Sequence, residues 1–254
     1  MSPNATKAAM MRGETVCAMW SGAASADLVE AAGHIGWKTI IIDNEHGVAD
    51  LGHAVTLDRA IRAAGGESIL RIPTADPVLL KLVLDRGFRS IMAPMIGSRA
   101  EAEAFAQACR YPPLGRRGYA APIVRGSSFG TIANYVRGSA ADDLLLIAQI
   151  EHVDAVENIS EIASVDGIDM LFLGPNDLAG SIGRLEQLDH PDVMALCERV
   201  EKETMASGKM FGSIVRPGRT PRQLHDLGAR LIAGVSDIGL FLEAARKARE
   251  DYNF

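Results

Sequence analysis

The sequence predicts a single (β/α)8 barrel over residues 1–254, on three observations. Eight short β-rich runs alternate with helical stretches along the chain, the count such a barrel needs in about 250 residues. The runs are near-continuously apolar rather than alternating, as in parallel strands covered on both faces. Polar residues gather just past the C-terminal ends of those runs, where barrel enzymes keep their chemistry. An open doubly wound sheet is the alternative that the pattern alone leaves standing. No linker interrupts the pattern and nothing repeats beyond the βα unit.

In chain order, TVCAMWSG from Thr15 reads as the first strand, with a helix over 27–33. TIIIDNEHG from Thr39 is the second strand and its loop, followed by a helix over 51–64. SILRIP from Ser68 is the third; the helix over 76–86 then ends at Gly87, a residue suited to the left-handed turn that closes helices. SIMAPMI from Ser90 is the fourth, followed by a helix over 98–109. LLLIAQI and MLFLG are the fifth and sixth. Between them Val153, Val156, Ile159 and Ile162 recur at three-residue steps, the apolar face of one helix. KMFGSIVRP from Lys209 and RLIAGVSD from Arg230 complete the eight, and a last helix runs from about Ile238. One connection is long, residues 110–143, rich in Gly, Arg and Ser; such lengths are usually functional or interfacial.

A net charge of −6 and a pI near 5.5 argue against nucleic acid as a partner. The N-terminal MSPNATKAAMMRGET has no apolar signal core, and no apolar run approaches the roughly 18 residues of a membrane span. Cys17, Cys109 and Cys197 are odd in number and far apart, which fits core filling rather than disulfides or a thiolate metal site. A cytoplasmic protein acting on a small molecule is the expectation.

The polar residues at the strand ends are few. Trp20 and Ser21 follow the first strand, and Asp43, Glu45 and His46 the second. Arg71 ends the third, Pro94 and Met95 the fourth, Gln149 and Glu151 the fifth. Asn176 and Asp177 follow the sixth, Arg216 the seventh, Ser236 and Asp237 the eighth. Strands five and six form a parallel pair whose right-handed crossover brings Glu151 and Asp177 to one edge, where two carboxylates can hold a divalent metal. Singly, Glu151 also reads as a first-turn helix residue and Asp177 as an N-cap. His46 also reads as a solvated loop histidine. Arg71 lies within an apolar strand, so its guanidinium needs an anion. Asp85, in the last turn of a helix, opposes the helix dipole; it reads either as solvated or as the partner of a cation.

No lysine stands at a strand's C-terminal end. Lys38 and Lys209 precede strands two and seven, on the opposite face, and Lys81 lies on a helix. A Schiff-base mechanism therefore lacks its amine, and a carbonyl substrate would be polarised by metal. Oxygen ligands favour a hard ion such as Mg2+ or Mn2+. No organic cofactor is expected. The loops after strands seven and eight, RPGRTP and SDIG, make a poor phosphate site.

Several ordered pieces together resemble the HpcH/HpaI aldolase family of class II, metal-dependent pyruvate aldolases, over residues 12 to 245. They are DNEHG from Asp43, RIP from Arg71, LDRG from Leu84, YPPLGRRG from Tyr111, QIE from Gln149, VDGIDMLFLGPNDL from Val165, and the SD of Ser236 and Asp237. The resemblance implies reversible aldol cleavage of 4-hydroxy-2-oxoacids to pyruvate or hydroxypyruvate and an aldehyde, through a metal-stabilised enolate. It implies Glu151 and Asp177 as ligands of Mg2+, Mn2+ or Co2+, His46 as the base, and Arg71 as the stabiliser of the enolate oxygen. Asp85 would hold the histidine. Gln149 and the Gly174-Pro175-Asn176-Asp177 segment would contact pyruvate. Val215 would be a further substrate contact, with Trp20 either walling the aldehyde side or packing in the core. Asp43 and Glu45 would stand near the metal. It also implies a homo-hexamer, a trimer of dimers, with the C-terminal helix packed on a neighbouring subunit, and a place in aromatic catabolism. Val48-Ala49-Asp50 and Asn176 depart from the family's pattern beside the aldehyde pocket and bear on substrate identity. An acyl-CoA lyase, an oxaloacetate decarboxylase and a non-enzymatic 2-oxoacid-binding barrel are the competing readings.

Overall fold

The computed structural model describes residues 3–252. Eight strands close into a parallel barrel in chain order: β1 (Val16–Ser21), β2 (Thr39–Asp43), β3 (Glu67–Arg71), β4 (Ser90–Ala93), β5 (Leu145–Ile150), β6 (Met170–Leu173), β7 (Met210–Ile214) and β8 (Leu231–Ser236). The open-sheet alternative is excluded, because β1 pairs with both β2 and β8. The helices are α1 (Ala5–Met11), α2 (Ala26–His34), α3 (Leu51–Ala63), α4 (Pro77–Asp85), α5 (Arg99–Cys109), α6 (Ser139–Asp142), α7 (Val153–Glu157), α8 (Ile159–Ala163), α9 (Pro175–Ser181), α10 (Pro191–Ala206), α11 (Pro221–Leu227) and α12 (Asp237–Glu250).

Side chains of alternate strand residues point to opposite faces, which divides the core in two. Val16, Ala18, Ile41, Ile69, Met92, Leu145, Ile147, Met170, Phe172, Ile214, Leu231 and Ala233 form the cluster inside the barrel. The intervening residues, such as Ile40, Ile42, Leu70, Ile91, Leu146 and Leu171, join the helices in a larger outer cluster. By the same alternation Trp20, Asp43, Arg71, Gln149 and Glu151 point inward above the inner cluster. The apolar core thus ends in a polar layer at the strands' C-terminal ends.

Three features differ from the sequence expectation. The helix α1 was not foreseen: it carries Met10 into the inner cluster and closes the N-terminal end of the barrel. It is fixed there by Asn4 Nδ2 donating to Ser90 Oγ at 2.9 Å and by the Thr6 and Thr39 hydroxyls 3.0 Å apart. The single helix expected between β5 and β6 is two, α7 and α8, broken at Asn158, whose Nδ2 donates to Gly97 O. Steps of three run ahead of the 3.6-residue turn, so one straight helix would not keep all four apolar residues on the barrel. Cys109 and Cys197 are buried, but Cys17 is exposed. The cause is α12, which has one buried residue, Asp237, and stands off the barrel instead of covering its flank.

The long connection packs against the N-terminal face. Arg117 pairs with Asp85, Arg125 Nη2 with Asp58 at 2.7 Å, and Arg110 Nη1 with Asp166 at 2.6 Å. No helix among the described residues is long and apolar enough to cross a membrane.

Candidate active site

The turn after β2 builds one half of the polar layer. Asp43 and Arg71 are register partners on β2 and β3, and the pair closes side by side: Arg71 Nε donates to Asp43 Oδ1 at 3.0 Å and Nη2 to Oδ2 at 2.7 Å. The anion that a strand-end arginine requires is therefore Asp43. Asp43 Oδ1 also accepts the backbone N–H groups of Glu45 at 3.1 Å and His46 at 3.2 Å, so one carboxylate orients both the arginine and the histidine turn. Burial alone would raise the Asp43 carboxyl, but the hydrogen bond and charge of Arg71, with the two backbone donors, hold it below the usual range. The turn needs Gly47, because a Cβ there would stand 2.2 Å from Asp43 O.

Glu45 lies between the two basic groups, with Oε2 3.2 Å from Arg71 Nη1 and 3.8 Å from His46 Nε2. Burial, the largest influence, raises its carboxyl; Arg71 and His46 oppose that, and Asp43 and Asp177 add to it. The indole of Trp20 stacks on the Arg71 guanidinium at 4.5 Å and meets Phe172 edge-on at 6.5 Å. Trp20 therefore backs the arginine as well as packing on the core.

Glu151 is the centre of the other half. It is only 3% exposed, with Oε1 accepting Met95 N–H at 2.8 Å and Oε2 accepting Gln149 Nε2 at 2.8 Å. Gly174 makes room for it, since a Cβ there would lie 2.3 Å from Glu151 Oε2. Met95 adopts a left-handed backbone, φ 54°, to aim its N–H at the carboxylate. Gln149 Oε1 is buried and has no hydrogen-bond partner. Asp177 sits in the first turn of α9, where Gly174 is the N-cap; it is exposed at the mouth rather than capping the helix. Burial pushes the Glu151 carboxyl up to about 7, with Asp177 and Glu45 adding to the rise and Met95 N–H and Arg71 opposing it. A buried carboxyl raised further by two like charges is one that a nearby cation would relieve. No group of three or more His, Cys, Asp or Glu side chains that could hold a metal exists among the described residues. The carboxylate oxygens of Glu151 and Asp177 are donors of the kind that would suit a hard ion.

Three expected residues lie elsewhere. Asp85 ends α4, which runs antiparallel to the strands, so it reaches the N-terminal face. There its Oδ1 accepts from Arg117 Nη2 at 2.8 Å, and within one chain it does not meet His46. The carboxylate beside the His46 ring is that of Glu45, with Oε2 3.8 Å from Nε2. Val215 packs on the outer cluster, across from Gly234, and the last inward residue of β7 is Ile214. Arg216 turns outward too: its Nη1 donates to Ser213 Oγ at 3.0 Å and its Nη2 to Glu201 on α10. The two lysines expected on the opposite face are there, capping carbonyls at the ends of neighbouring elements. Sequence reasoning missed Glu201, which looks like one more charge in the polar run ERVEKET, and the Met95 N–H, for which no sequence signal exists.

The HpcH/HpaI aldolase/citrate lyase family model matches residues 17–244. A hydroxypyruvate/pyruvate aldolase of Agrobacterium fabrum is 33% identical over 98% of this chain and 93% of its own length. A 5-keto-4-deoxy-D-glucarate aldolase of Escherichia coli is 32% identical over 98% of this chain and 97% of its own. A crystal structure of an HpcH/HpaI aldolase/citrate lyase family protein from Burkholderia cenocepacia superposes with a TM-score of 0.92 at 32% identity, covering 99% of this chain and 100% of that one. The chain therefore belongs to the HpcH/HpaI aldolase/citrate lyase family and is a carbon–carbon lyase, an aldolase.

Proposed function

We propose that the protein is a divalent-metal-dependent aldolase that cleaves and forms 4-hydroxy-2-oxoacids, with pyruvate or hydroxypyruvate as the donor. The observation that carries this reading is the polar layer at the strands' C-terminal ends, where Glu151 is buried at the end of β5 and Asp43 holds both Arg71 and the backbone of the His46 turn. The donor is supported by the relatives named hydroxypyruvate/pyruvate aldolase.

A divalent ion on Glu151 and Asp177 would supply the Lewis acid that polarises the keto oxygen. Gln149 and the backbone of Asn176 and Asp177 would hold the 2-oxoacid, with its carboxylate near the start of α9. In cleavage, His46 takes the proton of the 4-hydroxyl as the C3–C4 bond breaks, and the electron pair passes into the enolate. Arg71, held flat by Asp43 and Trp20, donates to the enolate oxygen as its charge develops, the kind of interaction that usually dominates such catalysis. In addition, His46 returns the proton to the new alkoxide.

The role the resemblance gives Asp85 meets a topological condition. Asp85 lies on the face opposite His46, so it can serve a histidine only across an interface between copies. The stand-off of α12 and its exposed Ile238, Leu240, Phe241 and Leu242 support such an assembly, hexameric as the resemblance implies. The reading is tested by incubating the protein with Mn2+, pyruvate or hydroxypyruvate and a panel of aldehydes, and seeking the adduct by mass. Adducts equal to donor plus aldehyde are expected; none with any pair refutes it.

A further inference from the structure

A groove of about 410 Å3 lies on the flank of the barrel, between α4, α5 and residues 116–118 of the long connection. That volume is in the range of small-molecule sites. No Asp or Glu lines it, and the charged residues on its wall are Lys81, Arg116 and Arg117. In a chain of net charge −6, a wall that carries only cations calls for an account.

The acids on the surrounding elements are engaged elsewhere. Asp85, one turn on from Lys81 along α4, accepts from Arg117 Nη2 at 2.8 Å. Asp76 caps α4 by accepting the N–H groups of Val78 and Leu79. Glu103, one turn before Gln107 on α5, pairs with Arg99. Among the described residues the exposed side chains of Lys81 and Arg116 have no partner, and neither has the amide of Gln107, which shares the wall. Arg117 is different: it is 3% exposed, tied to Asp85 and stacked on Tyr111 at 4.5 Å, yet its Nε is buried with no hydrogen-bond partner. A buried donor left unmet is costly, and an anion in the groove would relieve it.

The remainder of the wall is apolar, with Ala104, Ala108 and the 60% exposed Val78. Two unmatched positive charges call for two negative ones, and an apolar bed calls for a body to cover it. We propose that the groove is a binding site for a small organic dianion, a phosphate monoester or a dicarboxylate, received by Lys81, Arg116 and the Nε of Arg117. The site lies apart from the barrel mouth, and the inference does not rest on the aldolase reading.

Titration calorimetry on the full chain, stripped of metal by chelator and dialysed, tests this away from any metal chemistry at the mouth. The probes are phenyl phosphate and phthalate, with inorganic phosphate as the bare anion and benzyl alcohol as the neutral body. Phenyl phosphate or phthalate should bind once per chain with a Kd on the order of 0.1 mM, weakening as salt rises. The tighter of the two shows whether a phosphate monoester or a dicarboxylate is the natural class. Inorganic phosphate should bind about 10-fold more weakly for want of the apolar body, and benzyl alcohol not measurably. Lys81→Gln and Arg116→Gln should each weaken binding roughly 5-fold, and the double variant about 20-fold. Arg184→Gln is the control: Arg184, on the connection between α9 and α10, also lacks a partner among the described residues, and its loss should leave Kd unchanged. No saturable binding, or a Kd unmoved in the double variant, overturns the proposal. An equal loss in Arg184→Gln overturns it too, by marking non-specific attraction, and inorganic phosphate binding as tightly as phenyl phosphate overturns the organic occupant. A wild type that binds no probe, with a double variant altered in mass by light scattering, makes the groove a contact between copies and overturns the proposal likewise.

Discussion

Asp43 holds the guanidinium of Arg71 with both oxygens, at 3.0 and 2.7 Å, while the same carboxylate ties down the backbone of the His46 turn. A fork-to-fork pair fixes the plane of the arginine as well as its place, and Trp20 stacked behind it closes off the alternatives. Arg71→Lys keeps the charge and loses the plane, so kcat should fall roughly 10²-fold with the donor KM little changed. Asp43→Asn should weaken kcat in the same direction by loosening arginine and histidine together. Steady-state kinetics at saturating Mn2+ check both; turnover near the wild-type value in Arg71→Lys would contradict the assigned role.

Gly174 is small because Glu151 needs the space. A methyl group there would stand 2.3 Å from Oε2, and 2.9 Å from the Glu151 Cβ, so the carboxylate must shift. Gly174→Ala should reduce Mn2+ affinity by about 10-fold or more without unfolding the barrel. Titration calorimetry alongside circular dichroism separates the two effects.

The Glu151 carboxyl, pushed up to about 7 chiefly by burial, makes a proton compete with the metal. Apparent Mn2+ affinity should rise about 10-fold per pH unit below 7 and level off above it. The metal-free protein should show the opposite trend in stability. A folded-state pKa raised above its unfolded value favours the fold below about pH 4.5, and that contribution is lost as pH rises through about 7. Thermal melts of the metal-free protein should therefore drop across this window, Mn2+ should reverse the drop, and Glu151→Gln should flatten it.

Asp58 tests the far end of the barrel. It is fully buried on α3 and accepts from Ser68 Oγ at 2.6 Å and Arg62 Nε at 3.0 Å, with Arg125 Nη2 at 2.7 Å. Asp58→Ala strands a buried hydroxyl and takes one anionic partner from each of two arginines, and should cost roughly 3–5 kcal/mol in urea denaturation. The long connection, which Arg125 anchors, should then become the first site of proteolysis.

Sequence pattern was informative where it rested on local physics. Strand–helix alternation is local, so the barrel, the gathering of Asp43, Arg71, Gln149 and Glu151 at strand ends, and the opposite-face lysines could all be read from the chain. Arg216 could not: its outward turn depends on Glu201, in a helix earlier in the chain, and only the tertiary fold brings them together. Helix α1 escaped because its burial comes from Met10 and the polar Thr6 rather than from an apolar stripe. Cys17 reads as a core filler from the wide spacing of the three cysteines, yet it lies exposed on β1. Asp85 shows a different lesson. The direction of a helix after a barrel strand places its end on the N-terminal face, and that placement separates it from His46 within one chain.

The central claim is that Glu151 and Asp177 seat a metal that makes the donor's methyl protons labile. Proton NMR of pyruvate in D2O measures this without any choice of aldehyde. With Mg2+ the wild type should exchange the methyl protons; exchange should stop on chelation, return on adding Mg2+, and be lost in Glu151→Gln and Asp177→Asn. Exchange at the full rate in chelator, or undiminished in both variants, would contradict the account.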